Sequence, residues 1–304
     1  MTDPRGAGGG PLDVVRVLAP NPGPFTLEGT NTWVVGRRPS LVIDPGPEDE
    51  GHLAAVRRAA EPVAAILLTH RHPDHAPGAA ALSSATGAPV MAFAPVAGEE
   101  PVRGGQVIEA GGVRLVAVHT PGHTPDHVSF HEPAMRVLFT GDAVLGRGTS
   151  VIDPPEGDLD AYLRSLRAMV ALAPRTLYPG HGPAVWHGVD KLSEYVEHRL
   201  ERERQVLDAL AEGEASSAEL VPTIYDGYPQ ELYPVAARSV LAHLLKLERE
   251  GRVRRAGSDE ADPRFALADA GRRAEDREAD VHQADDHSVP PGGPAAGGGA
   301  ATRT

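Results

Sequence analysis

Within six consecutive residues, His70-Arg71-His72-Pro73-Asp74-His75, the chain places three imidazoles and a carboxylate directly after the apolar run Ala64-Ala65-Ile66-Leu67-Leu68. A short unbroken apolar run reads as a strand buried on both faces, so these side chains fall in the loop where that strand ends. From such a loop His70 and His72 can face one point while Asp74 and His75 turn to a second, adjacent one. The plainer reading is a solvated turn, because Pro73 and Asp74 are common turn residues. Repetition of the pattern decides against it.

The same punctuation returns along the chain. Val113 to Val118 leads into His119-Thr120-Pro121-Gly122-His123, Val137 to Thr140 leads into Gly141-Asp142, and Thr176 to Gly180 leads into His181. An earlier carboxylate, Asp44, closes Leu41-Val42-Ile43 and precedes Pro45-Gly46. Glycine and proline beside such residues let the backbone turn sharply and approach closely. If these strands belong to one layered fold, their ends converge on one edge.

In order and spacing, the His70–His75 string, His123, Asp142, His181 and Asp44 resemble the five motifs of the metallo-β-lactamase superfamily. The segment Asn21-Pro22-Gly23-Pro24-Phe25-Thr26-Leu27-Glu28-Gly29-Thr30-Asn31-Thr32-Trp33 is similar to the opening of a narrower subgroup, the β-lactamase-like proteins that include a single-strand-specific endoribonuclease. Ile224-Tyr225, Pro229, Leu232 and His243 to Gly251 resemble that subgroup's tail, so the likeness spans roughly residues 12–268. It implies an α/β fold, a four-layer αββα sandwich followed by a small winged-helix-like domain. By position it also implies that His70, His72 and His123 hold one metal, that Asp74, His75 and His181 hold a second, and that Asp142 bridges them. Asp44 would support the ligand loop without touching metal, fixing histidine tautomers.

Imidazole and carboxylate suit zinc, with manganese or iron as alternatives, since geometry and availability decide as much as affinity. The chain has no cysteine, which excludes a thiolate ligand and a thiol nucleophile. No Gly-x-Ser-x-Gly elbow occurs either, so covalent catalysis lacks a candidate. A two-metal site fits hydrolysis instead: a water between the metals loses a proton near neutral pH, and both cations steady charge on the attacked and leaving oxygens. Asp142 and Asp74 are the expected catalytic carboxylates, with Asp74 also placed to orient the attacking water or accept its proton.

At 304 residues the chain exceeds one ordinary domain. The expected division is a disordered start over 1–11, a catalytic domain over 12–188, a linker helix with a winged-helix-like domain over 189–270, and a disordered tail over 271–304. Leu192, Tyr195, Val196, Leu200, Val206, Leu207 and Leu210 recur at helical spacing from about Val189 to Glu212. Ser216-Ser217-Ala218-Glu219 has the form of a capping box, and a second helix through Ala237, Val240, Leu241, Leu244 and Leu245 stops at Gly251. Arg252-Val253-Arg254-Arg255 and Arg264-Phe265-Ala266-Leu267 then read as a two-stranded wing.

A winged helix invites a nucleic-acid reading, with Arg249, Arg252, Arg254 and Arg255 as its basic patch. Charge argues otherwise. Residues 190–270 carry 11 Lys and Arg against 17 Asp and Glu, and the whole chain stands at −13, whereas phosphate binding wants positive potential. A module that packs on the core and closes the rim of the site is therefore the expectation, and no DNA partner is expected.

Metals alone do not select a substrate. Subgroup resemblance ranks phosphodiester cleavage of single-stranded RNA first. Release of acyl or polyketide chains from a carrier thioester follows closely, because a branch with a similar opening motif does that. A non-catalytic metal-binding module comes third. Thr30, Asn31 and Tyr225 are candidate substrate contacts, while His119 and His127 could serve substrate or support a ligand. His52, His131, His187, His198 and His243 have no ligand-like setting and are expected on the surface or on helices. The opening residues lack an apolar signal core and no run is long enough to span a membrane, so the expected location is cytoplasmic. Antibiotic hydrolysis, which needs export, is disfavoured.

Overall fold

The computed structural model describes residues 12–257 and 262–268; the expected disordered segments 1–11 and 271–304 lie outside the described residues. Two sheets face each other. The first holds β1 (Val14–Leu18), β2 (Asn31–Val35), β3 (Ser40–Ile43), β4 (Val63–Leu67), β5 (Val90–Ala92) and β6 (Glu100–Pro101), in that spatial order. Pairing is antiparallel from β1 to β3 and parallel from β3 to β6. The second sheet runs β11 (Thr176–Pro179), β10 (Val137–Gly141), β9 (Val128–Glu132), β8 (Val113–His119) and β7 (Val107–Ala110), with only the β10–β11 pair parallel.

Strand periodicity builds the layers. Trp33, Val35, Leu41, Ile43 and Leu67 point between the sheets, where they meet Leu115, Phe130, Phe139 and Tyr178 in one buried cluster. Their chain neighbours Val34, Val42, Ile66 and Leu68 point outward against Leu53 and Val56 of α1 (Glu50–Ala60) and Ala79 and Leu82 of α2 (Gly78–Thr86). On the far side, Leu138 and Leu177 pack against α3 (Leu159–Ala171) and α4 (Gly188–Leu210). Strands covered on both faces are why the sequence reads as unbroken apolar runs there, and each such Leu or Phe contributes about 1.5–3 kcal/mol when fully buried. The order helix, sheet, sheet, helix is the expected αββα sandwich.

Helix α4 belongs to two cores at once. Leu192 and Tyr195 sit in the cluster under the second sheet. Val206 and Leu210 sit in a separate cluster with Leu220, Ile224, Val240, Leu244, Leu247, Val253 and Phe265. That second cluster is the C-terminal module: α5 (Ser217–Ile224), a 3-10 turn (Gln230–Leu232), α6 (Tyr233–Arg249) and a small sheet in the order β12 (Ala215–Ser216), β14 (Arg264–Leu267), β13 (Val253–Ala256). The capping box at the start of α5 is present, with the Ser216 amide donating to Glu219 at 2.8 Å.

Three of the four arginines of the basic patch are paired, and Arg254 is exposed. Arg252 meets Glu203 at 2.8 Å, Arg255 meets Glu248 at 3.0 Å, and Arg249 meets Asp158 of the core at 2.5 Å. Histidine placement also departs from expectation at one position. His131 lies in β9 and is buried, because both faces of that strand are covered. His52, His198 and His243 are on helices as expected, although His52 and His243 are buried. No helix among the described residues is long and apolar enough to cross a membrane.

Candidate metal centre

Each strand delivers its polar residue at one edge of the sandwich. Asp44 follows β3, His70 to His75 follow β4, His123 follows β8, Asp142 follows β10 and His181 follows β11. One atom each of His70, His72, His123 and Asp142 lie within 4.8 Å of one another, and those of Asp74, His75 and His181 form a second such group. Asp142 reaches both: its carboxylate is 3.8 Å from His123 Nε2, 3.4 Å from His75 Nε2 and 3.3 Å from His181 Nε2. All seven residues singled out as ligands in the sequence therefore gather in one place.

The donor set fits cations. Every ring has its outer nitrogen beside a protein oxygen: His70 Nδ1 faces Thr69 Oγ1 at 3.0 Å, His75 Nδ1 faces Asp44 at 2.9 Å, His123 Nδ1 faces the Val151 carbonyl at 2.9 Å and His181 Nδ1 faces the Gly29 carbonyl at 3.2 Å. His72 is turned the other way, with Nε2 3.5 Å from Glu156. With the outer nitrogens protonated toward these oxygens, the inner nitrogens present lone pairs to one another. They lie 3.0 Å apart for His72 against both His70 and His123, and 3.2 Å apart for His75 against His181. Facing lone pairs at that range repel unless a positive charge lies among them. Asp142 Oδ1, buried and without a hydrogen bond, points to the same need.

Electrostatics agree. Burial opposes charge on His75, yet the carboxylates of Asp142 and Asp44 outweigh it and hold its pKa well above the imidazole range. Burial likewise opposes charge on His181, which Asp142 and Asp74 nonetheless push up to about 9. Asp74 and Asp142, although burial would raise them, are held well below the usual carboxylate range by His75 and His181. In contrast, burial and the neighbouring rings hold His70 below the imidazole range. Without a metal, protons on His75 and His181 supply the positive charge that the cluster demands.

The remaining expectations separate. Asp44 accepts from the Thr69 amide and hydroxyl at 2.8 and 2.7 Å as well as facing His75, so it braces the loop from behind. Its own φ of 52° is left-handed, a conformation that aspartate tolerates. His127 is buried behind the cluster, where its Nε2 accepts from the Asp142 amide at 3.2 Å and its Nδ1 meets Thr120 Oγ1 at 2.9 Å. His119 stays outside, stacked on Phe93 with ring centroids 3.9 Å apart.

Thr30 and Asn31 are fully buried. Thr30 Oγ1 donates to Asp74 at 3.2 Å and the Asn31 amide donates to the Pro179 and Gly182 carbonyls, so both serve the protein rather than facing open space. Tyr225 lies in the C-terminal module under the Arg202 guanidinium, 4.2 Å from it. Residues missed in the sequence include Thr69, Val151 and Glu156, which orient ligand rings, and the wall of a cavity beside the cluster. That cavity, of about 440 Å³, is lined by Pro24, Phe25, Leu27, Leu145 and Val151 together with His72, Asp74 and His123. Pro24, Phe25 and Leu27 stand in the Asn21–Trp33 segment, whose pattern was legible only as a likeness.

Comparison with known sequences settles the family. Residues 25–100 and 93–181 match the Metallo-beta-lactamase superfamily, and residues 216–262 match the Beta-lactamase associated winged helix domain. A Beta-lactamase-like protein 2 homolog of Drosophila melanogaster is 35% identical over 270 residues, covering 79% of this chain and 89% of that protein. The chain belongs to the metallo-beta-lactamase superfamily. It is a hydrolase of that superfamily with an associated winged helix. An Atrochrysone carboxyl ACP thioesterase of Aspergillus chevalieri is 36% identical over 261 residues, covering 79% of this chain and 82% of that protein. The superfamily fold is shared with a metallo-beta-lactamase family protein of Thermus thermophilus, at a TM-score of 0.70 and 23% identity, over 84% of this chain and 98% of that one.

Proposed function

We propose that this enzyme hydrolyses an acyl thioester with a pair of metal ions, His70, His72 and His123 holding one, Asp74, His75 and His181 the other, and Asp142 shared between them. The carrying observation is the cavity wall: Pro24, Phe25, Leu27, Leu145 and Val151 give the slot an apolar side that ends at His72, Asp74 and His123, while Arg147, Thr149, Asp153 and Glu156 make its polar rim. Such a slot suits an acyl chain. Its single arginine, Arg147, is paired with Glu28 at 2.5 Å, and a lone ring, Phe25, faces it, which is a poor surface for a phosphate backbone and stacked bases. The 36% identity to a protein named as a thioesterase supports the same choice.

Zinc suits the all-nitrogen and oxygen donor set, with iron and manganese as alternatives. Bound there, the metal pair supplies a water activated for attack at neutral pH and positive charge for the oxygen of the attacked carbonyl. The chain's own residues do the rest. The slot seats the acyl chain so that its carbonyl lies at the cluster; water oxygen bonds to the carbonyl carbon, the carbon–sulfur bond breaks, and the leaving thiolate takes a proton. Asp74, held ionised and braced by Thr30, is placed to accept a hydrogen bond from the attacking water and orient it, and the proton that the water gives up ends on the leaving thiolate.

Phosphodiester cleavage of single-stranded RNA is the second reading, favoured by the likeness of the Asn21–Trp33 segment. Metal analysis of the purified protein, with turnover of short- and long-chain acyl thioesters measured beside cleavage of single-stranded RNA, separates them. Thioester turnover with KM falling as the chain lengthens is expected. RNA cleavage without thioester turnover would overturn the proposal.

A further inference from the structure

Residues 142–158, between β10 and α3, form neither strand nor helix, yet they carry much of the site. Asp142 begins the loop, the Val151 carbonyl orients His123, and Glu156 faces His72. Leu145, Arg147, Gly148, Thr149, Val151, Asp153 and Glu156 supply one whole wall of the cavity. A stretch of that length without regular structure holds a single shape only if something outside it satisfies and fixes its backbone.

Its ends are tied to Thr140, His181, Gly122 and Tyr162, and Ala143, Val144 and Ile152 are buried in the cluster under the second sheet; α4 and α6 hold the stretch between. Tyr195 accepts from the Leu145 amide at 3.0 Å and donates to the Gly148 carbonyl at 2.8 Å. One turn further along α4, Arg199 donates to the Ser150 carbonyl, and the Ser150 hydroxyl donates in turn to the Asp142 carbonyl. Arg199 is 3% exposed, lies 5.5 Å from the Tyr162 ring centroid, and forms no ion pair among the described residues. A buried guanidinium without a carboxylate is costly to keep, and among the described residues the backbone carbonyl it donates to belongs to this loop.

Helix α6 grips the other end. Arg238 pairs with Asp153 and donates to the Pro154 carbonyl, and Arg249 holds Asp158, the N-cap of α3, at 2.5 and 3.2 Å. These arginines are about three helical turns apart and so share one face. Between them lies a crevice of about 330 Å³, with Pro154, Pro155 and Leu159 on one side and Ala242 and Leu245 on the other. Loop and helix are thus joined by ion pairs at the two ends of an open gap, with Ala242 packing in the cluster that also holds Ile152.

We propose that α4 and the C-terminal module together serve as a clamp on the substrate wall, with Arg199, Arg238 and Arg249 as positioning residues that hold residues 142–158 against the metal cluster. This use of the winged helix rests on the hydrolase reading of the cluster and not on the choice of thioester. It gives Arg249, one of the four arginines of the basic patch weighed in the sequence, a task inside the enzyme, and it makes specific the expectation of a module that closes the rim of the site.

The test compares zinc-loaded full-length protein with R238A/R249A, R199M and R199K, reading amide hydrogen exchange, metal content and kinetics on a long-chain acyl thioester. In R238A/R249A, whose lost contacts are exposed, amides of 143–157 should exchange on the order of tenfold faster while the strands keep their protection. KM should rise roughly fivefold, kcat should change less, and two metals should remain, because only the wall is loosened. R199M should extend the faster exchange to Asp142 and lower metal content, and R199K, which keeps a donor, should recover part of both. Unchanged exchange and KM in R238A/R249A would overturn the clamp, and so would an R199K as impaired as R199M. If R199M does not fold, the surface pair alone decides. A wild type inert toward thioesters would sink the substrate choice only, since loop exchange would still report on the clamp.

Discussion

Asp44 Oδ2 lies 2.9 Å from His75 Nδ1, on the side of the ring away from Asp142. His75 is thereby held between two carboxylates, its proton committed to Asp44 and its other nitrogen turned into the cluster. A buried aspartate that never reaches the cluster thus sets the tautomer of a residue that does.

Asp44→Asn should weaken metal retention at the His75 group by roughly 10–100-fold, the range for outer partners of metal ligands. Asparagine tolerates the left-handed backbone at this position, so the fold should survive. Competition with a chelator, followed by circular dichroism of the same samples, checks it; unchanged affinity would mean that Asp44 serves only Thr69.

Asp142→Ala should remove the carboxylate that both groups share, leaving one metal per chain and lowering turnover by more than the ~100-fold typical of outer partners. Full metal content and activity in this variant would rule out a bridging role.

Gly180→Ala probes space rather than backbone freedom. A Cβ there would collide with Asp142 Oδ1 and lie 2.7 Å from His75 Cε1. Metal content and activity should fall together with little loss of thermal stability, since the crowding is at the ligands. Retention of both metals in the variant would show that Asp142 can shift aside without consequence.

Metal-stripped protein should lose stability as pH rises from about 6.5 to 9. His75 and His181 are raised above the unfolded imidazole value, so the folded chain binds more protons than the unfolded one in that window. Their contribution is complete below the unfolded pKa and disappears as pH climbs through the folded one. Metal loading replaces those protons, so calorimetric titration at pH 7 should detect proton release, and metal affinity should strengthen toward pH 9. A melting temperature of the stripped protein that is flat across this range would contradict the charge arrangement described for the cluster.

Strands and the residues that gather at their ends were readable because their signals are local. Runs such as Leu41-Val42-Ile43 and Ala64 to Leu68 announce strands buried on both faces, and the glycines and prolines beside Asp44, His123 and His181 announce sharp turns at their ends. The linker helix, the capping box and the wing were legible for the same reason: periodicity and caps act over a few residues. Substrate contacts were not. Thr30 and Asn31 looked like open hydroxyl and amide groups but are spent on Asp74, Pro179 and Gly182. Tyr225 packs on Arg202, a partner 23 positions earlier that no local pattern indicates. The charge count argued against a basic patch, but only the structure shows which carboxylates, Asp158, Glu203 and Glu248, meet Arg249, Arg252 and Arg255.

By itself the sequence determined which side chains could hold metal and that each stands at the end of a buried strand, because hydrophobic alternation and turn chemistry are written within short spans of chain. Only the tertiary structure decided which ring nitrogen faces inward, which wall encloses the neighbouring cavity and what secures the loop that forms it. Those are outcomes of contacts between residues as distant as Asp158 and Arg249, and a hydrogen bond or an ion pair depends on distance in space, which a linear order does not specify.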